Sequence, residues 1–309
     1  MNLKNRCKIG LLASVFALQA CTATMDDGGM AASTPANSAV TAMGPGLWKV
    51  ADEDTTIYLF GTVHALPSDV NWKTPAVATA LAEADSLVTE IDMTPEILAS
   101  IGPMMQQKGT LPAGQTLRSL MTDEQRGKYE AGLAQMGIPA GALDTLEPWL
   151  AAVSLTQIMV QRAGYTPESG VERVLEAAVP AGTDRVALET VEYGINIFDS
   201  LPMDKQVEYL VSSLENADQG MEMLREIVAE WAEGDVEEVA DLMARGFAET
   251  PDLAERLLYV RNANWAEWID TRLDTPGTAF MAVGAGHLAG ERSVQDYLAQ
   301  RGIKTQRVQ

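Results

Sequence analysis

The chain contains only two histidines, and each closes the same local pattern, an apolar strand-like run ending in Gly-x-x-His. The first run is Ile57-Tyr58-Leu59-Phe60 followed by Gly61-Thr62-Val63-His64; the second is Phe280-Met281-Ala282-Val283 followed by Gly284-Ala285-Gly286-His287. Two scarce imidazoles in one stereochemical setting, near opposite ends of the sequence, point to a fold that joins its two ends at one site. Glu90 and Glu189 close two further strand-like runs. Ligands of open α/β sheets bind beyond the C-terminal ends of parallel strands, which is where all four side chains would sit. Imidazole nitrogen with carboxylate oxygen suits a divalent metal cation such as Mn, Co, Zn or Fe, and open positions on that cation would serve hydrolysis.

Each of these residues also has a plainer reading. Either histidine alone could be a core or surface residue satisfied by hydrogen bonds. Glu90 lies in Leu87-Val88-Thr89-Glu90-Ile91, where an acid is expensive to bury without a partner, so a strand-end salt bridge competes with ligation. Glu189 could cap, or sit in the first turn of, a following helix. Arg261 and Trp265 share a helical face beside Asn262 and Asn264, which suits either an oxyanion-binding group or an ion pair from Arg261 to Glu90 or Glu189. Glu172, in Ser169-Gly170-Val171-Glu172, could support the site or merely cap a helix.

The elements that must position these groups follow from periodicity and breakers. Leu47–Val50 and Ile57–Val63 read as a hairpin about the turn Ala51-Asp52-Glu53-Asp54. A helix over Pro75–Ala84 and a strand over Ser86–Asp92 complete a β-α-β unit, which implies a parallel pair. Pro95 to Pro180 is largely helical, with a start signal at Thr122-Asp123-Glu124-Gln125. A short strand, Asp184–Leu188, precedes a second helical stretch, Pro202 to Asp274, with breaks near Gly220, Gly234 and Gly246–Pro251. Thr278–Val283, Ser293–Arg301 and Ile303–Val308 give a strand, a helix and a closing strand. The expected class is α/β: a small mixed β-sheet built from N- and C-terminal segments, with a large helical insertion between them.

The 309 residues, 47% of them hydrophobic, suffice for one large α/β domain or two small ones with a real core. Lys4, Arg6 and Lys8 before the apolar run Ile9–Leu18 have the form of a secretory signal over residues 1–20. Leu18-Gln19-Ala20-Cys21 resembles a bacterial lipobox, so Cys21 is the expected lipidation site. Residues 21–45, rich in Ala, Ser, Thr, Gly and Pro, then form a flexible tether to a domain over 46–309. With Cys7 lost in the signal and Cys21 lipidated, no thiol remains for disulfides, zinc ligation or catalysis. The expected location is the bacterial cell envelope, lipid-anchored in the outer membrane and facing the periplasm. A net charge of −21 argues against nucleic acid as a partner, because phosphate contacts need basic patches, and otherwise serves solubility.

At Gly61–His64, Glu90, Leu188-Glu189-Thr190, Arg261-Asn262-Ala263-Asn264-Trp265 and Gly284–Leu288, the chain resembles the TraB/GumN family, from about Leu47 to Val308. That family is similar to the Tiki-type metalloproteases, which are membrane-tethered and use Mn or Co. The resemblance implies a metal-dependent, peptidase-like domain in which His64 and His287 are the motif histidines and Glu90 and Glu189 the motif acids. Arg261 and Asn262 match the helical polar pair. A peptide or small-molecule substrate is expected, with a non-catalytic metal- or ligand-binding lipoprotein as the alternative. The chain has no His-Glu-x-x-His helix, so the mechanism belongs to a different class from zinc peptidases of that kind.

Overall fold

The computed structural model describes residues 44–92 and 94–309. The signal over 1–20, Cys21 and nearly all of the tether lie outside the described residues. No helix among the described residues is long and apolar enough to cross a membrane.

The sheet has six strands: β1 (Leu47–Ala51), β2 (Thr55–Thr62), β3 (Ser86–Ile91), β4 (Asp184–Glu189), β5 (Gly277–Gly284) and β6 (Gln306–Arg307). Their order is β4-β3-β5-β2-β1-β6. The hairpin β1–β2 closes as its sequence predicts, because the Asp52 carboxylate accepts the backbone N–H groups of Asp54 and Thr55. β2, β5, β3 and β4 run parallel, so their C-terminal ends share one edge.

The β-α-β unit departs from expectation in one respect. β2 and β3 are parallel but do not touch, because β5 lies between them and pairs with both. The reason lies in β5 itself: Ala279 to Val283 are fully buried, and an apolar run buried on both faces belongs in the middle of a parallel sheet. The closing strand shrinks to Gln306–Arg307 on the hairpin's outer edge.

Side-chain alternation divides the core in two. Phe60, Leu87, Phe280 and Ala282 face the helical insertion, where Trp149, Leu155 and Trp231 join them. Ile57, Leu59, Val88, Met281 and Val283 face the other way, against Trp265, Ala266, Ile269 and Leu298. Two helices carry that second layer, Val260–Leu273 and Val294–Gln300. Helices begin where the sequence signals them: Thr74 and Thr94 cap with proline next, and Thr122 with Gln125 forms a capping box. The expected break at Gly220 falls instead at Asn216, and Gly220 is buried inside Ala217–Glu233. Gly234 does end that helix, in the left-handed conformation. A π-helical turn, Glu255–Tyr259, runs directly into Val260–Leu273 and has no counterpart in the periodicity reading.

Candidate active site

His64, Glu90, Glu189 and His287 all come to the shared C-terminal edge of the parallel strands. Glu90 is the penultimate residue of β3 and Glu189 the last of β4. His64 lies just beyond β2, and His287 ends a single tight turn, Ala285–His287, beyond β5. Arg261, Asn262 and Trp265 enter from the helix packed beneath that edge and are buried.

Arg261 ties the acids together. Its Nε donates to both Glu189 oxygens, at 2.8 and 3.0 Å, and its Nη2 to Glu90 Oε2 at 2.5 Å. Nη1 donates to the Leu257 carbonyl at 2.8 Å and stands 3.3 Å from His287 Nε2. The guanidinium lies 4.8 Å from the Trp265 ring, whose Nε1 donates to Glu189 at 3.1 Å. Glu189 therefore serves the arginine, and Thr190, not Glu189, caps the helix Val191–Asp199.

Both imidazoles are held by Nδ1. Asn262 Nδ2 faces the Arg292 carbonyl at 2.8 Å, and a carbonyl can only accept, so Asn262 Oδ1 is turned to His287 Nδ1, at 2.6 Å. His287 thus carries its proton on Nδ1 and keeps a lone pair on Nε2. His64 Nδ1 pairs with Glu172 Oε1 at 2.6 Å, and the same oxygen accepts the Thr62 hydroxyl. Holding one imidazole nitrogen on an oxygen so that the other can ligate is the usual support for a metal-bound histidine.

Glu172 was legible in the sequence only as an acid after a glycine. The structure places it in the first turn of Val171–Ala178, where Gly170 is the N-cap and no side chain caps, and turns its carboxylate to His64. Gly170 makes this possible, since a Cβ there would stand 2.0 Å from the His64 carbonyl oxygen. No larger residue allows the segment to press so closely on the histidine. Asn264, adjacent in the motif, is exposed.

Gly284 forms the floor between the two imidazoles. Its N–H donates to Glu90 Oε1 at 2.7 Å. A Cβ built on it would lie 3.3 Å from Glu90 Oε1, 3.5 Å from His287 Cδ2 and 3.7 Å from His64 Nε2. The missing methyl leaves a cradle faced by two imidazoles and a carboxylate oxygen, a donor set that fits a divalent cation in kind. Glu90 Oε1 and His287 Nε2 are 3.8 Å apart across it. Among the described residues, no three His, Cys, Asp or Glu side chains are gathered closely enough to hold a metal ion as they stand.

Charge in the site is polarised by these contacts. Burial would raise Glu90, but Arg261, with the two histidines and the Gly284 N–H, holds it down at about 2. Burial and Arg261 press His287 down to about 3, against Glu90. Burial opposes a charge on His64, yet Glu172 outweighs it and lifts the imidazole to about 9. Burial raises Glu189 despite Arg261.

These shifts set a pH profile. The His287 contribution to stability is complete above 6.5 and lost as pH falls towards 3, and that of Glu90 is complete above 4.5 and lost as pH falls through about 2. His64 acts oppositely, its contribution complete below 6.5 and lost as pH rises through about 9. Urea midpoints of the metal-free protein are expected to peak near pH 6.5 and fall on both sides. A flat profile across that range would mean that the three groups are not held as described.

The sequence matches the profile of the TraB/PrgY/gumN family over residues 46–307. No curated protein and no solved structure matches it.

Proposed function

Because the chain belongs to the TraB/PrgY/gumN family, with the match covering nearly all of it, we propose that the cradle over Gly284 is the centre of a metal-dependent hydrolase. The observation that carries this reading is the convergence of His64 Nε2 and Glu90 Oε1 on the Gly284 position beside the His287 ring, with each imidazole fixed through Nδ1. His64, His287 and Glu90 would hold the cation, which when bound supplies Lewis-acid polarisation and a more acidic water. Peptide amide is the favoured bond, on the resemblance to Tiki-type proteases. Cys21 would carry the lipid and set the domain at the periplasmic side of the cell envelope.

The chain's own residues divide the remaining work. Glu90, held ionised by Arg261, stays available through Oε1. Glu189, on the other side of the guanidinium and raised by burial, is the group suited to hold a proton. Glu172 aligns His64, and Asn262 aligns His287. Because His64 is protonated at neutral pH in the metal-free state, loading must displace a proton, so uptake is expected to strengthen as pH rises towards 9.

A second reading, a non-catalytic binding protein, is favoured by Arg261, whose donors are engaged by Glu90, Glu189 and a backbone carbonyl and so are not directed at a substrate. Metal content by mass spectrometry separates the readings. After loading with Mn, Co, Zn or Fe, the purified protein is expected to retain about one equivalent, lost in His64→Ala/His287→Ala. Retention with no turnover of peptide libraries favours the binder, and equal content in both proteins sinks the metal site.

A further inference from the structure

We infer that Arg292 is a positioning residue for this site, fixing the tautomer of the buried His287 through the Asn262 amide. Arg292 is itself well exposed and contacts neither imidazole nor either site glutamate. Its connection to the site is its backbone carbonyl, which accepts from Asn262 Nδ2 at 2.8 Å and so turns Asn262 Oδ1 to His287 Nδ1. Were the amide reversed, its oxygen would face the Arg292 carbonyl, a repulsive contact, and its nitrogen would donate to a bare His287 Nδ1 in the other tautomer. The carbonyl therefore acts on which His287 nitrogen keeps the lone pair, in the same sense as Arg261 Nη1, a donor 3.3 Å from Nε2.

That carbonyl is held in place by an unusual conformation. Arg292 is the one non-glycine residue with positive φ, 57°, among the described residues. Left-handed backbone at a long side chain persists only where surrounding contacts impose it. Here the side chain supplies them. Nη1 and Nη2 form a two-pronged pair with Glu255 at 2.8 Å each, Nε donates to the Tyr297 hydroxyl at 3.2 Å, and the guanidinium lies 4.0 Å over the Tyr259 ring. The backbone N–H is fixed by Asp296 at 2.7 Å.

Glu255 and Tyr259 are the first and last residues of the π-helical turn, so that turn offers both anchors for Arg292 while leading directly to Arg261 and Asn262. The π turn, the strained arginine and the buried histidine thus form one connected device. It extends the site proposed above and takes its functional meaning from that reading, but it rests on hydrogen bonding alone.

Nitrogen-15 NMR of histidine-labelled, metal-free protein tests it, since the chain has two histidines and each gives its own pair of ring-nitrogen signals. His287 in the native chain is expected to show a protonated Nδ1 and a bare Nε2. Arg292→Ala, which removes the clamp and disfavours the left-handed backbone, should raise the share of the Nε2-protonated form about fivefold, the effect of losing one net hydrogen bond. Arg292→Gly, which still reaches that backbone, should raise it less, and the His64 signals should stay put in both. Asn262→Ala should shift His287 at least as far as Arg292→Ala.

An unchanged His287 in Arg292→Ala, with or without a shift in Asn262→Ala, overturns the proposal. If Arg292→Ala does not fold, Glu255→Ala removes only the side-chain clamp; a shift in the same direction supports the relay and no shift overturns it. Because the spectra are recorded without metal, a protein that binds no cation would sink the hydrolase reading and leave this result standing.

Discussion

Gly284→Ala is expected to fold and melt almost as the native protein does and yet to lose, about a hundredfold, the metal retention and hydrolysis proposed for the cradle, the scale of displacing the proposed cation by about an ångström. The backbone of Gly284, at φ −49° and ψ 136°, is open to alanine, so no conformational strain arises. The nearest atom to the new methyl would be Glu90 Oε1 at 3.3 Å, tight enough to shift by tenths of an ångström but not to disrupt the core. The stability change should stay within about 1 kcal/mol. What the methyl does occupy is the cradle between the imidazoles. A variant that melts normally and binds metal and turns over substrate as the native chain does would overturn the proposed cradle.

Arg261→Ala should have the opposite signature, a large loss of stability. Glu90 and Glu189 are both buried, with side chains 10% and 8% exposed, and the arginine is the cation that pairs with both. Removing one partner of a buried ion pair costs about 3–5 kcal/mol, because the remaining charge stays desolvated. Acid should partly rescue the variant. Without the guanidinium, burial raises both acids above their unfolded values, so the folded state gains relative to the native chain as pH falls and the acids become neutral. Urea unfolding at neutral and mildly acid pH checks both parts. A loss below about 1 kcal/mol, or one that deepens in acid, would show that the pairs do not hold the site together. Arg261→Lys should recover little, since an ammonium cannot span two carboxylates with a planar fork.

Much of this architecture was legible in the residues, for reasons that also explain what was not. Apolar runs, two of them closed by glycine, located strands, and Pro75, Pro95 and Thr122-Asp123-Glu124-Gln125 located helix starts, because these are local effects. The rare histidines at strand ends located the cluster proposed as the site. The position of β5 between β2 and β3 was not legible: its apolar run suits a central strand, but which strands it separates depends on partners far away in sequence. Arg261 could be assigned to Glu90 or Glu189 but not to both, since a bridge across two strands is a three-dimensional fact. Glu172 could not be ranked above a capping acid without seeing Gly170 against His64. Arg292 carried no signal at all, because its part is played by a carbonyl oxygen, which every residue has.

The central place of β5 has a temporal consequence. Thr62 pairs with Gly284 and Thr89 with Ala282, so β2 and β3 acquire their common neighbour only when Gly277–Gly284, far downstream of both, is available. Before that, Glu90 lacks the Gly284 N–H, His64 lacks its opposite number, and the cradle has no floor. Such distant pairings form slowly, because loop closure precedes any reward from contact. The cradle is therefore a product of long-range pairing: no local segment of the chain can assemble it alone, and it takes shape only as β5 joins β2 and β3.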